Sequence, residues 1–290
     1  MFGKMGSGTK LINKEIILSL KSLLTEAVVV DSMFDIEQEL LQIKESILEQ
    51  MITEGVDDPG ILKCVFMAGG PGSGKSFTSM DVFGIDKKLK SSFSSFGLKN
   101  VNSDSAFEAE LRKNGIDPKD LARIEKEEPE LWKTITEKPN GIREKAKNLT
   151  KLQKSFYEAG RLGMIIDGTG DDYAKIKKQK EHAEALGYDT YMVFVNTSLE
   201  VALERNAKRD RTLPDKLVTD IWKDVQSNLG KFKGLFGGNF EIVDNTVYKP
   251  VDSAVQKAVN TFLKKPVYNQ IGKKWVQTAR ALKNANLIKK

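Results

Sequence analysis

Eight consecutive residues, Gly69-Gly70-Pro71-Gly72-Ser73-Gly74-Lys75-Ser76, constrain this chain more than any other stretch. They fit G-x-x-x-x-G-K-[ST], the spelling of a loop that cradles the phosphates of a nucleoside triphosphate. Glycines let the backbone wrap a phosphate closely and adopt positive φ. The wrapped N–H groups and the start of the following helix then attract anions. Chance alone produces the pattern in a chain of 290 residues with a probability on the order of 1%. The context supports the functional reading. Leu62 to Ala68 is a short apolar run of the kind expected for a buried parallel strand, and Phe77 to Val82 can continue as a helix. Gly70, Pro71, Gly72, Ser73, Gly74, Lys75, Ser76 and Phe77 are therefore the expected ATP-binding residues. Lys75 would reach the outer phosphates, and the Ser76 hydroxyl would ligate Mg²⁺.

Strand-like and helix-like stretches alternate after this loop. Strands are expected near Leu98–Asn102, through Ile165-Ile166 to Asp167, over Thr190–Val195 and over Phe240–Asp244. Helices are expected over 142–159, 174–186, 199–208, 214–229, 251–263 and 267–284, with Gly230 to Gly238 as a loop. Such alternation predicts an α/β fold, a P-loop NTPase-like parallel sheet with helices on both faces. Helical segments at the N- and C-terminal ends flank it. The expected divisions are an N-terminal helical segment 1–60, a kinase-like domain 61–250 and C-terminal helices 251–290 ending in a basic tail. Within the central domain, residues 105–160 form a helical insertion on the acceptor side, and 205–214 a lid. Ligands of such sheets bind at the carboxyl ends of the strands, where the loop, Asp104 and Asp167 all fall.

Phosphoryl transfer needs positioning and charge stabilisation more than covalent chemistry. Asp104, at a strand end, is the candidate base for an acceptor hydroxyl, with capping of a helix over 105–113 as its alternative or additional role. Asp167 can hold Mg²⁺ or its water, and Thr169 can hydrogen-bond substrate or phosphate. Arg205, Arg209 and Arg211 cluster around a break before Pro214. Guanidinium groups bind phosphate oxygens through paired donors, so Arg205 and Arg211 are the candidate closing cations. His182 lies among charged residues and reads as a surface residue, and Trp132, Trp222 and Trp275 read as packing anchors.

Charge is unevenly placed. The net +6 resolves into −6 over residues 1–60, +4 over 61–263 and +8 over 264–290. The basic tail 264–290 is a possible contact for nucleic acid, and the acidic N-terminal helices are a cover on the core or a docking surface for a partner. No run approaches the roughly 20 apolar residues of a membrane span, and no signal peptide is apparent. The single cysteine, Cys64, excludes an internal disulfide and reads as a core residue. A cytoplasmic setting is expected.

The motifs taken in order resemble the zeta-toxin family of P-loop kinases. The matching pieces are the phosphate loop, Val101-Asn102-Ser103-Asp104-Ser105-Ala106-Phe107, Ile166-Asp167-Gly168-Thr169-Gly170 and Leu186-Gly187-Tyr188-Asp189-Thr190. Arg205 and Arg211-Thr212-Leu213-Pro214 follow. The resemblance covers about 61–248. It implies an ATP- and Mg²⁺-dependent kinase in which Asp104 is the base, Asp167 and Thr169 line the acceptor and metal side, and Arg205 and Arg211 clamp phosphates. It also brings an antitoxin-like partner into view. Studied zeta toxins phosphorylate UDP-N-acetylglucosamine. Here Asp167 stands where they usually have Glu, and Asp171 where they often have Arg, so the acceptor is left open as a small molecule or a nucleotide. The same motif order is similar to polynucleotide 5′-hydroxyl kinases, and a non-catalytic ATP-dependent binding protein is the third alternative.

Overall fold

The computed structural model describes residues 56, 60–84, 96–209 and 212–284. The chain divides into two compact units, Met1–Glu49 and Gln50–Lys290, and all the described residues belong to the second. The N-terminal helices expected before residue 55, Arg211 and the end of the basic tail lie outside the described residues.

Five strands form one sheet: β1 (Lys63–Ala68), β2 (Lys99–Val101), β3 (Met164–Asp167), β4 (Asp189–Asn196) and β5 (Phe240–Asp244). Their order is β2-β3-β1-β4-β5, and every neighbouring pair is parallel. The chain leaves β1 toward one edge and later crosses to the other side, so β1 lies at the switch point where a ligand crevice opens. All six residues of β1 are buried, which is why the run after Lys63 reads as continuously apolar rather than alternating.

Helices cover both faces. The helix α1 (Lys75–Phe83) follows the phosphate loop. Its Val82 and Phe83 share a core with Val65, Met67, Tyr191 and Val193, which point to one side of the sheet. The opposite side presents Phe66 and Phe194 to a long helix whose Phe236 and Phe232 lie 5.5 and 6.4 Å from them, centroid to centroid. Between β2 and β3 run α2 (Ser103–Lys113), a 3₁₀ turn at Pro118–Asp120, α3 (Leu121–Glu127), α4 (Pro129–Thr136) and α5 (Ile142–Ala159). These helices close around their own core of Phe107, Leu111, Leu121, Ile124, Ile135 and Ala146. Each break falls at or beside a proline expected to cause it, and Asn140 supplies the left-handed residue before α5. The remaining helices are α6 (Tyr173–Ala185), α7 (Leu199–Ala207), α8 (Asp215–Phe236), α9 (Ser253–Lys264) and α10 (Gln270–Asn284).

Two expectations fail locally. The loop read over Gly230 to Gly238 is instead the last two turns of α8, which end at Phe236. Gly230 and Gly234 meet nothing on the outer side. Each costs about 1 kcal/mol of helix propensity relative to alanine, less than burying two phenylalanines four residues apart returns. The helix after β2 begins at Ser103 and is capped by Asn102, whose side chain accepts from the Asp104 N–H. Asp104 therefore sits in the first turn, where its charge suits the helix dipole, rather than at the cap.

The α8 assignment gives a direct test. Phe232 is fully buried. Phe232→Ala is expected to lower unfolding stability by about 3–5 kcal/mol in urea titration. A loss below about 1 kcal/mol is what an exposed loop residue would give.

Candidate active site

Parallel register brings the site together. Met67 pairs with Asp167, and Val101 with Ile166, so the ends of β1, β3 and β2 lie side by side. The phosphate loop leaves β1, the Gly168–Gly170 turn leaves β3, and Asn102 leaves β2. The first two are stitched by Gly69 N–H to Thr169 O (2.8 Å) and Gly168 N–H to Met67 O (3.1 Å).

The loop has the conformation its sequence predicts. Gly72 and Gly74 have φ of 75° and 85°, and Gly74 is the N-cap of α1 with no side chain capping it. The start of the helix thus has no side chain across it, while the Phe77 N–H turns back to the Gly74 carbonyl at 3.0 Å. A Cβ at Gly72 would lie 2.3 Å from the Ala202 carbonyl, and one at Gly74 2.0 Å from Asn245 Nδ2. These glycines are required by close approach as well as by φ. Asn245, just past β5, donates to Ser73 O at 2.7 Å and holds the loop from outside. Arg205, on α7, reaches Gly72 O at 3.5 Å.

Lys75 turns its ammonium back onto the Gly69 carbonyl. Burial lowers its pKa, while Asp167 and Asp104 act in the opposite direction. Burial raises the Asp167 carboxyl above the usual range, and the Lys75 charge opposes that rise. Asn102 joins these groups. Its Nδ2 donates to Asp167 Oδ2 at 2.8 Å, and its Oδ1 accepts from Asp104 N–H at 2.7 Å. One side chain thus ties the Asp167 carboxylate to the backbone of Asp104.

Asp167 Oδ1 is buried and has no hydrogen-bond partner. An orphaned carboxylate oxygen beside the phosphate loop suits a divalent cation, and the Ser76 hydroxyl at the start of α1 supplies the second ligand type. Among the described residues no group of three or more His, Cys, Asp or Glu side chains forms a metal cage.

Asp104 is 66% exposed, and its Oδ1 accepts from Arg143 Nη1 at 2.9 Å. Arg143 arises from α5 and lies over the Phe107 ring at 4.8 Å, so α2 and α5 both position it. Thr169 donates to the Asp171 carboxylate. The turn carrying both is held by Asn228 of α8, whose Nδ2 contacts the Gly170 and Asp171 carbonyls at 3.1 and 2.7 Å. Arg209 follows α7 and is exposed, and Arg211 lies outside the described residues. Asn206 pins the ends of this break by exchanging two hydrogen bonds with Leu213, at 2.7 and 3.1 Å.

The structure thus gathers Lys75, Ser76, Asp104, Asp167, Thr169 and Arg205 at one edge of the sheet. Sequence reasoning missed Arg143, Asn102, Asn206, Asn245 and Tyr248. Arg143 is one of several cations on its helix and carries no local signal. Tyr248 stacks on Phe77 with centroids 4.6 Å apart and is 73% exposed, next to Val247 at 68%. Its signal is an apolar pair, Val247-Tyr248, shortly after the last strand. His182 is on the surface, with Nε2 3.3 Å from Glu158, and Trp222 anchors α8 by donating to Thr197 O at 2.9 Å.

Comparison with known proteins was made at two levels. Among solved structures, likeness was found to the PezAT chromosomal toxin–antitoxin system of the human pathogen Streptococcus pneumoniae, with 16% identity, 84% of this chain, 95% of that chain and a TM-score of 0.42. AvrRxo1-ORF1:AvrRxo1-ORF2 with sulphate ions gives 14% identity over 80% of this chain and 73% of that chain, with a TM-score of 0.44. The tunicamycin resistance protein of Deinococcus radiodurans gives 13% identity over 71% of this chain and 97% of that chain, with a TM-score of 0.40. A search of curated proteins returned no match. The AAA domain family matches residues 64–231, more than half of the sequence. That span runs from β1 through the phosphate loop to α8, and the chain belongs to the AAA domain family.

Proposed function

We propose that this protein is an ATP-dependent kinase that transfers the γ-phosphate to a hydroxyl of a small molecule or nucleotide. The observation that carries this reading is that the phosphate loop is bonded to the turn after Asp167, Gly69 N–H to Thr169 O, while Asn102 joins the Asp167 carboxylate to the helix turn that carries Asp104. A nucleotide-binding loop alone serves many functions. A carboxylate fixed beside it and open to solvent is what transfer to a hydroxyl requires.

The residues divide the work. The loop N–H groups and Lys75 hold the phosphates, and Arg205 adds charge from α7. The face of Tyr248, braced by Phe77, offers a stacking surface for the base. Ser76 and Asp167 would hold Mg²⁺, which when bound neutralises charge on the phosphates. Asp104 accepts the hydroxyl proton as the acceptor oxygen bonds to the γ-phosphorus and the bond to the departing ADP breaks. With Oδ1 engaged by Arg143, Oδ2 is the oxygen available for that proton. Arg143 keeps the carboxylate aimed. Arg211, beside the break pinned by Asn206, is the residue proposed to close over the transferring phosphate.

The decisive experiment is transfer from γ-labelled ATP with Mg²⁺, offered in parallel to a 5′-hydroxyl oligonucleotide, UDP-N-acetylglucosamine and a metabolite extract. A labelled acceptor that disappears with Asp104→Asn fixes the class. Bound ATP with no acceptor labelled would leave a nucleotide-dependent binding protein. Asp104→Asn is expected to lower kcat by about 10²–10⁴-fold with ATP affinity nearly unchanged. A comparable loss of ATP affinity in the folded variant would remove Asp104 from the base role.

Arg143→Ala is expected to lower kcat by roughly 10–100-fold, with Arg143→Lys recovering only part, because a single ammonium cannot copy the guanidinium geometry. If Arg143 serves packing alone, stability falls in urea titration while kcat of the folded fraction is unchanged.

A further inference from the structure

The connection from β5 to α9 passes beside α1 and is tied down at two points. Asn245, at its start, donates to Ser73 O at 2.7 Å, inside the phosphate loop. Near its end the Val251 N–H donates to the Asp81 carboxylate on α1. A Cβ at Gly74 would lie 2.0 Å from Asn245 Nδ2, so the connection begins in contact with the phosphate cradle.

Between these two anchors it turns apolar residues outward. Val247 and Tyr248 are the most exposed large hydrophobic residues among those described. One face of Tyr248 rests on Phe77, with the ring planes 41° apart. Phe77 is the third residue of α1, two after Lys75, so the ring pair lies within one turn of the helix start where phosphates are held. A ring that the backbone holds still and leaves open forfeits its burial, and a stacked base recovers it at little cost in ordering.

The hydrogen-bonding side chains that precede Tyr248 in this connection are engaged within the protein. Asn245 Nδ2 is on the phosphate loop, and Asp244 accepts from the Thr246 N–H at 3.0 Å. That bond, with the Thr246 side chain and the Lys249 charge, holds the Asp244 carboxyl below its usual range. A site that hydrogen-bonds one base edge strongly rejects an analogue lacking the matching group. A stacking face tolerates every base and prefers those with the larger ring system.

On the reading that the phosphate loop holds the donor's phosphates, we infer that Tyr248 selects the donor nucleotide by stacking alone, so that purine nucleotides are preferred over pyrimidine ones and adenine and guanine are taken alike. Phe77 is the positioning residue that holds the ring. GTP then serves as donor as readily as ATP.

The test is titration calorimetry on the full chain with ADP, GDP, CDP and inorganic pyrophosphate, each with Mg²⁺. None of these carries a γ-phosphate, so binding is read apart from transfer. ADP and GDP are expected within about threefold of each other, and CDP weaker by about fivefold or more. Tyr248→Ala is expected to weaken ADP and GDP by about 5- to 100-fold and to leave pyrophosphate unchanged. Tyr248→Phe keeps both purines, because the ring and not the hydroxyl is read. Lys75→Ala, by contrast, weakens all four ligands. Tyr248 loses this role if Tyr248→Ala leaves ADP affinity unchanged, if that variant loses pyrophosphate equally, or if one purine binds about tenfold or more tighter than the other. An absence of binding by all four ligands would remove the phosphate-loop reading and the selection by Tyr248 with it. Failure of the kinase reading looks different: no acceptor is labelled from ATP or GTP while the binding pattern persists, and Tyr248 is then the selector of a nucleotide-dependent binding protein. Circular dichroism verifies that each variant is folded.

Discussion

The register between β1 and β3 is the constraint on which the rest of the site depends. Pairing Met67 with Asp167 sets the carboxylate one residue from the end of the strand that feeds the phosphate loop. A one-residue slip would turn Asp167 to the other face of the sheet. The same pairing lets the Gly168–Gly170 turn bond to Gly69, and it leaves Asn102 at the adjacent strand end within reach of Asp167. Hydrophobic burial on both faces enforces that register, because Phe66 must meet α8 while Val65 and Met67 meet α1 and α9. The core therefore decides the geometry of the site.

Side chains that touch no reacting atom supply much of the positioning. Asn102, Asn206, Asn228 and Asn245 each tie a backbone segment of the site to its scaffold. Asparagine offers a donor and an acceptor on one short side chain, so it can bridge two segments at once. The orphaned oxygen of Asp167 has company at the loop, where the buried hydroxyls of Ser73 and Thr78 also lack a partner within the protein.

How much of this was legible in the sequence depended on the range of the interaction. The phosphate loop was readable because its chemistry is local: Gly72 and Gly74 are needed for φ and for close approach, and their spacing records both. The carboxyl ends of all five strands were placed within about a residue because buried runs flanked by glycine, proline or acids leave a one-dimensional trace. The end of α8 was misread because Gly230 and Gly234 advertise a loop, while the burial of Phe232 and Phe236 is visible only once Phe66 and Phe194 are opposite them. Arg143 was invisible for the same reason, since 39 residues separate it from Asp104.

The corner where α10 meets the sheet has a consequence for how the basic tail is to be studied. Asp189 is buried with Lys63, and its remaining hydrogen bonds come from the backbone of Tyr268 and Asn269. A chain ending at Lys264 would remove two backbone donors of Asp189 together with residues that cover that ion pair, a loss on the order of several kcal/mol in a domain of ordinary stability. A premature stop there would act as a folding mutation. Loss of function after such a truncation would report on the sheet's amino edge, and the tail's charge is addressed cleanly by substitutions that keep the backbone of residues 265–272 in place.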